Sequence, residues 1–263
     1  EQYALTLRLA EGLQNTGTEI GMIYLYWAET EQHRRQYEIA ENYFEKALTY
    51  FEKDESKENL SVIYERLGSL YESLGDLGRA QVFFEKFNQL TEELCASNPS
   101  NESLKNGLAI SYERLGTLYQ SQGDLGKAQD FFEKYNQLKE ELYANNPKNE
   151  SLKNGLAISY ERLGTLYQSQ GDLGKAQVFF EKDYKLAEEL YASNPPNAEL
   201  LYRLATSYVC LGWNAEKQES RTQALAFYQK ALPLLEKVCV ATPIPQYTNQ
   251  LAWVKEAIVR VSA

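Results

Sequence analysis

The sequence predicts an all-α solenoid of antiparallel helix pairs, and three observations carry that expectation. The stretch from Asn101 to Gln129 recurs unchanged from Asn149, 48 positions later. A looser copy over 59–99 shares Tyr64, Leu67, Gly68, Tyr71, Ala80 and Phe84 with both. Within each copy the apolar residues fall at helical spacing in two runs separated by a Gly-Asp break. Self-similarity at a fixed interval means that one supersecondary unit is stacked, each copy burying an apolar face against its neighbours.

The chain opens with Tyr3 to Leu13, which has the apolar pattern of a short helix, and 1–16 reads as a leading helix. A first, degenerate pair spans 17–56; its second helix, near Glu38 to Lys53, is short because Tyr64 follows Tyr24 by only 40 positions. Pairs over 57–100, 101–148 and 149–196 are the close copies. In the middle one, Leu104, Leu108, Tyr112, Leu115 and Tyr119 line the first helix, and Ala128, Phe131, Phe132, Tyr135, Leu138 and Leu142 the second. Gly123 supplies the left-handed residue that ends the first helix, and Asp124 can accept the amide hydrogens that open the second. Asn146-Pro147 stops it, since proline has no amide hydrogen and disfavours helical geometry in the residue before it. A fifth pair, 197–242, keeps Tyr208, Leu211, Gly212, Ala224 and Tyr228; Pro233 inside its second helix is expected to remove a hydrogen bond and bend the axis. Finally, 243–263 places Leu251, Val254, Ile258 and Val261 along one side, the pattern of a terminal helix covering an exposed edge. The whole, 1–263, reads as one repeat domain.

At Tyr112-x-x-Leu115-Gly116-x-x-Tyr119, followed by Ala128-x-x-x-Phe132, the sequence resembles the tetratricopeptide repeat, with Tyr in the family's Trp position. The same frame reads Tyr64, Leu67, Gly68, Tyr71, Ala80, Phe84 in the preceding copy and Tyr160, Leu163, Gly164, Tyr167, Ala176, Phe180 in the next. Looser matches fall at Tyr24, Trp27, Ala28, Ala40 and Phe44, and in the fifth pair, where Trp213 replaces Thr117 and Thr165. The resemblance implies a right-handed α-α superhelix. A period of 48 against about 34 for the family lengthens each helix by about two turns, roughly 10 Å, and is similar to long repeats in bacterial proteins that join a repeat array to an effector domain.

Composition excludes several classes. A net charge of −10 argues against nucleic acid, which needs a basic footprint, and against an anionic membrane surface. No apolar run approaches the roughly 18 residues of a spanning helix and no signal-peptide pattern opens the chain, so a cytoplasmic location is expected. Because Glu1 is not an initiator Met, a piece cut from a longer protein is one expectation. Cys95, Cys210 and Cys239 lack the paired short spacings of a metal or disulfide framework and read as buried or half-buried free thiols. His33 is the sole histidine, and its neighbours Glu31, Gln32, Arg34 and Arg35 read as a solvated face, so a histidine-paired nucleophile has little to build on. Gly123-x-x-Gly126-Lys127 lacks the spacing and preceding strand of a phosphate loop. No cofactor, metal or catalytic residue is expected.

The resemblance implies that the first helix of each pair lines a concave face where partners bind. It places Val62, Glu65, Ser69 and Glu72 there from one copy, Asn106, Ile110, Glu113, Thr117 and Gln120 from the next, and Asn154, Ile158, Glu161, Thr165 and Gln168 from the third, with Trp213 beyond. The carboxylates of Glu65, Glu113 and Glu161 would favour a basic or amide-rich peptide; alternatively Arg66, Arg114 and Arg162 pair with them across repeats. Family members that clamp acidic C-termini use Lys and Asn where this chain has Glu113 and Thr117, which disfavours that mode. The expected function is a non-catalytic protein-protein interaction scaffold that holds a peptide or helical segment. Alternatives are a sensor module of a larger protease or nucleotide hydrolase, and a self-associating repeat protein.

Overall fold

The structure, a computed structural model, describes residues 17–262; the leading helix expected over 1–16 lies outside them. Among the described residues there are eleven helices and no strand. In chain order they are α1 Gly17–His33, α2 Tyr37–Lys53, α3 Lys57–Ser73, α4 Leu77–Ser97, α5 Glu102–Ser121, α6 Leu125–Asn145, α7 Glu150–Ser169, α8 Leu173–Ser193, α9 Ala198–Lys217, α10 Arg221–Ala241 and α11 Pro245–Ser262. They form hairpins, α1 with α2 and α3 with α4 in the first part of the chain and α7 with α8 and α9 with α10 in the second, followed by α11. The chain divides into two compact units, 1–131 and 132–263, the boundary falling within α6.

Each described hairpin turns in the same way. The first helix ends in a left-handed residue whose amide donates three residues back, while the next amide reaches five back: Gly75 to Glu72 and Asp76 to Tyr71, at 3.0 and 2.9 Å, are one instance. Glycine serves at Gly75, Gly123 and Gly171, with φ of 77, 80 and 82°. In the first and last hairpins Arg35 and Glu219 hold the same conformation, at φ of 61 and 60°. The second helix then opens on an aspartate: Asp76, Asp124 and Asp172 accept from the backbone amides of Arg79, Lys127 and Lys175. Asn101, Asn149 and Asn197 do the same for α5, α7 and α9, each accepting from two amides. Caps of this kind contribute about 1 kcal/mol each. α6 ends at Asn145, just before Asn146-Pro147, whereas α10 continues through Pro233 as one helix.

Between the helices of a pair, small residues face aromatic rings. A Cβ at Gly68 would stand 2.5 Å from the Phe84 ring, and one at Gly164 equally close to Phe180. Those rings are fully buried, worth about 2–3 kcal/mol each in area removed from water. Alongside them, Tyr71 stacks on Phe83 with centroids 5.5 Å apart, and Tyr167 on Phe179 at the same distance. Burial and the carboxylate of Glu41, 2.7 Å away, push the Tyr71 hydroxyl up to about 12. Near the C-terminus Val254, Ala257 and Val261 of α11 pack onto Ala205, Val209 and Tyr228, so the helix covers the α9–α10 pair. The three cysteines are free and half-buried.

Candidate protein-interaction surfaces

In the first unit, α3, α4 and α5 enclose a groove of about 460 Å3. Val62 and Glu65 of α3 and Ile110 of α5, all expected from the sequence, line it together with Phe87 and Leu94 of α4 and Leu104 of α5. Val62 is 40% exposed although apolar. The carboxylate of Glu65 is already committed: Oε1 accepts from Arg114 Nε and Nη2 at 3.0 and 2.7 Å, and Oε2 from Arg66 Nη1 at 2.6 Å. Arg66 in turn donates to Glu29. Pairing with arginine across repeats, the alternative open from the sequence, is therefore the geometry around Glu65. Ser69, Glu72, Asn106, Glu113, Thr117 and Gln120 are half-buried on the same helices and lie outside the groove's lining.

In the second unit α7, α9 and α11 surround a cavity of about 380 Å3. Asn154, Ile158 and Glu161 of α7 face it as expected; Arg203 and Tyr202 of α9 and Tyr247 of α11 complete it. Arg203 donates Nη1 to Glu161 at 3.1 Å and Nη2 to Asp183, whose side chain is 2% exposed. Burial pushes Asp183 up to about 7 and outweighs the attraction of Arg203; Glu161 adds to the rise. Burial also opposes the charge on Arg203, and Asp183 and Glu161 more than offset it. Asn154 Oδ1 and Arg203 Nε are buried without a hydrogen-bond partner among the described residues. Thr165 and Gln168 lie outside this cavity, Gln168 donating to Asn214 at 3.3 Å. Trp213, 40% exposed, is separate again: it meets Trp253 edge-to-face at 6.5 Å beside Lys217 and Arg260.

Sequence reasoning missed Arg203, Tyr202, Tyr247 and the second-helix residues Phe87 and Leu94. One signal was available. Arg203 falls 48 positions after Gly155, and Asp183 falls 48 after Tyr135, so an aromatic residue and a glycine are replaced together by opposite charges.

His33 lies exposed at the end of α1. Among the described residues no group of His, Cys, Asp or Glu could hold a metal, and no helix is long and apolar enough to cross a membrane.

Helical hairpins repeated in register, with side-chain-sized grooves between first helices, define a helical-repeat protein. Tetratricopeptide-repeat sequence profiles match residues 19–86, 109–142 and 157–191, between them more than half of the chain. The chain belongs to the tetratricopeptide-repeat family. No curated protein sequence matches it. Its structure is similar to BtubC (BKLC) from P. vanneervenii, with a TM-score of 0.69 at 19% identity over 92% of this chain and 88% of that one. RapI in its apo form is similar with a TM-score of 0.67 at 12% identity, over 82% of this chain and 70% of that one. A third is a signal transduction ATPase with numerous domains from Pyrococcus horikoshii, which has a tetratricopeptide repeat sensor. Its TM-score is 0.64 at 17% identity, over 94% of this chain and 35% of that one. At such identities the likeness concerns the fold. Repeats of this family are typically non-catalytic, and membership supports a protein-interaction scaffold.

Proposed function

We propose that the chain binds a peptide or helical segment of a partner protein along its first helices, and that the first unit's groove takes an apolar anchor residue from that segment. The observation that carries this reading is the groove itself: exposed Val62 beside Ile110, Leu104 and Phe87, with Glu65 neutralised by two arginines. An apolar anchor removes Val62 and Ile110 from water at about 25 cal/mol per Å2 without stripping an unpaired charge of its hydration. The second unit would offer a separate subsite to the same or another segment.

Selection of binders from a displayed random-peptide library tests it. Peptides that carry a recurring apolar residue and lose at least about tenfold in affinity against a Val62→Glu, Ile110→Glu chain of unchanged helicity support the groove; a tenfold loss corresponds to about 1.4 kcal/mol. Peptides that bind that variant as tightly as the parent chain would move the site elsewhere.

A further inference from the structure

The second unit's cavity has a chemistry of its own. Its rim is aromatic, with Tyr202 of α9 and Tyr247 of α11 holding their ring centroids 4.3 Å apart at 37°. Its walls carry two carboxylates, half-buried Glu161 and exposed Glu199. Among the described lining residues the one cation, Arg203, has both terminal nitrogens engaged, by Glu161 and by Asp183 behind it. With Arg203 balanced by Glu161 and, once it is ionised, by Asp183, exposed Glu199 leaves the cavity with a net negative charge.

An anionic ligand would meet these carboxylates, and a purely apolar one would strip their hydration with nothing in return. A cation gains from both the ring faces and the carboxylates. A planar guanidinium suits the site better than an ammonium, because it stacks on an aromatic face and presents five donors in a fixed fork.

We infer that this cavity binds an arginine side chain, with the guanidinium against the Tyr202 and Tyr247 rings and donating toward Glu161 and Glu199. The arginine belongs to a partner segment, so the inference rests on the reading of the chain as a scaffold for such segments. It involves neither Val62 nor Ile110, and the two sites can therefore fail separately.

The test is a titration of the chain with a short Gly- and Ser-flanked arginine peptide, its citrulline counterpart, and agmatine, followed through the ring resonances of Tyr202 and Tyr247. Citrulline keeps the shape of arginine and removes the charge. Saturable ring shifts with the arginine peptide are expected, weakened at least about fivefold by citrulline, by Glu161→Gln and by Tyr247→Ala. Glu199→Gln, at an exposed position, provides a variant whose folding is not in question and should weaken binding in the same direction. Arginine and citrulline peptides that bind alike, or no saturable shift with either, would overturn the cation site while leaving the first unit's groove untouched. Agmatine binding tighter than the arginine peptide would assign the cavity to a small free guanidinium compound and overturn the partner-segment form.

Discussion

Arg203 reaches across from α9 to Asp183 on α8, and both residues are departures from the repeat. Its counterparts in the earlier repeats are Gly155 and Gly107, and those of Asp183 are the aromatic residues Tyr135 and Phe87; the Tyr135 hydroxyl donates to the Gly155 carbonyl oxygen at 3.5 Å. An ion pair has thus replaced an aromatic residue and a glycine at these two positions. Either solution fills the junction between a second helix and the next first helix, and mixing them should fail. Above about pH 7, where Asp183 is ionised, Arg203→Gly is expected to destabilise the second unit by about 3 kcal/mol, since it leaves Asp183 buried without its counter-charge. Asp183→Tyr with Arg203→Gly together restore the older pairing and should recover most of that loss. Chemical unfolding of the two single variants and the double one forms a cycle; additive losses would refute the coupling.

Asp183 also gives the chain a pH signature. Burial, with Glu161 nearby, raises its carboxyl to about 7 against Arg203's pull, whereas the unfolded chain titrates it near 3.8. Between those values the folded state keeps a proton that the unfolded state has released, so stability falls as pH rises through that window and levels off above it. The contribution is fully present below about pH 4. Asp183→Asn should remove this slope, which the difference between parent and variant unfolding curves isolates from other carboxylates. Identical slopes in the two chains would contradict it.

Gly164 is held to its size by the Phe180 ring, because a Cβ would stand 2.5 Å from it. Gly164→Ala should cost about 1–3 kcal/mol, the usual range for overpacking a core. Adding Phe180→Leu should return part of that loss by opening space. Thermal unfolding of the parent, the single variant and the double one decides it; a single variant as stable as the parent would show that the helices can separate cheaply.

Residue spacing made the helices legible because helical periodicity and the glycine, aspartate and proline at the turns are local signals. Thus α6 was expected to stop at Asn146-Pro147 and ends at Asn145. The surfaces were legible only on their first-helix side. Val62, Ile110, Asn154, Ile158 and Glu161 follow from the repeat frame, whereas Phe87 and Leu94 reach the first groove from a second helix, and Tyr247 reaches the cavity from α11. Nothing local ties Tyr247 to Tyr202, because their meeting depends on how α11 packs on α9. Glu65 shows the other limit: its neighbour Arg66 is visible in sequence, but only the packing of α5 on α3 brings Arg114 to the same carboxylate.

The hairpin turns supply a last prediction, in which the sign of the effect is opposite to the usual one. Glu219 ends α9 at φ 60°, where Gly75, Gly123 and Gly171 end the equivalent helices at 77–82°. The hydrogen bonds of the turn are the same: the Glu219 amide donates to Glu216 at 3.0 Å, and the Ser220 amide to Ala215 at 2.9 Å. An L-residue in this conformation costs roughly 1–2 kcal/mol in Cβ crowding. Glycine removes that cost and adds back about 0.5–1 kcal/mol through the greater freedom of the unfolded chain. Glu219→Gly should therefore stabilise the α9–α10 hairpin by about 0.5–1 kcal/mol, and Arg35→Gly the α1–α2 hairpin similarly. Gly171→Ala should lose about 1 kcal/mol by the same reasoning reversed, and a melting temperature lowered by Glu219→Gly would show that Glu219 contributes through its side chain.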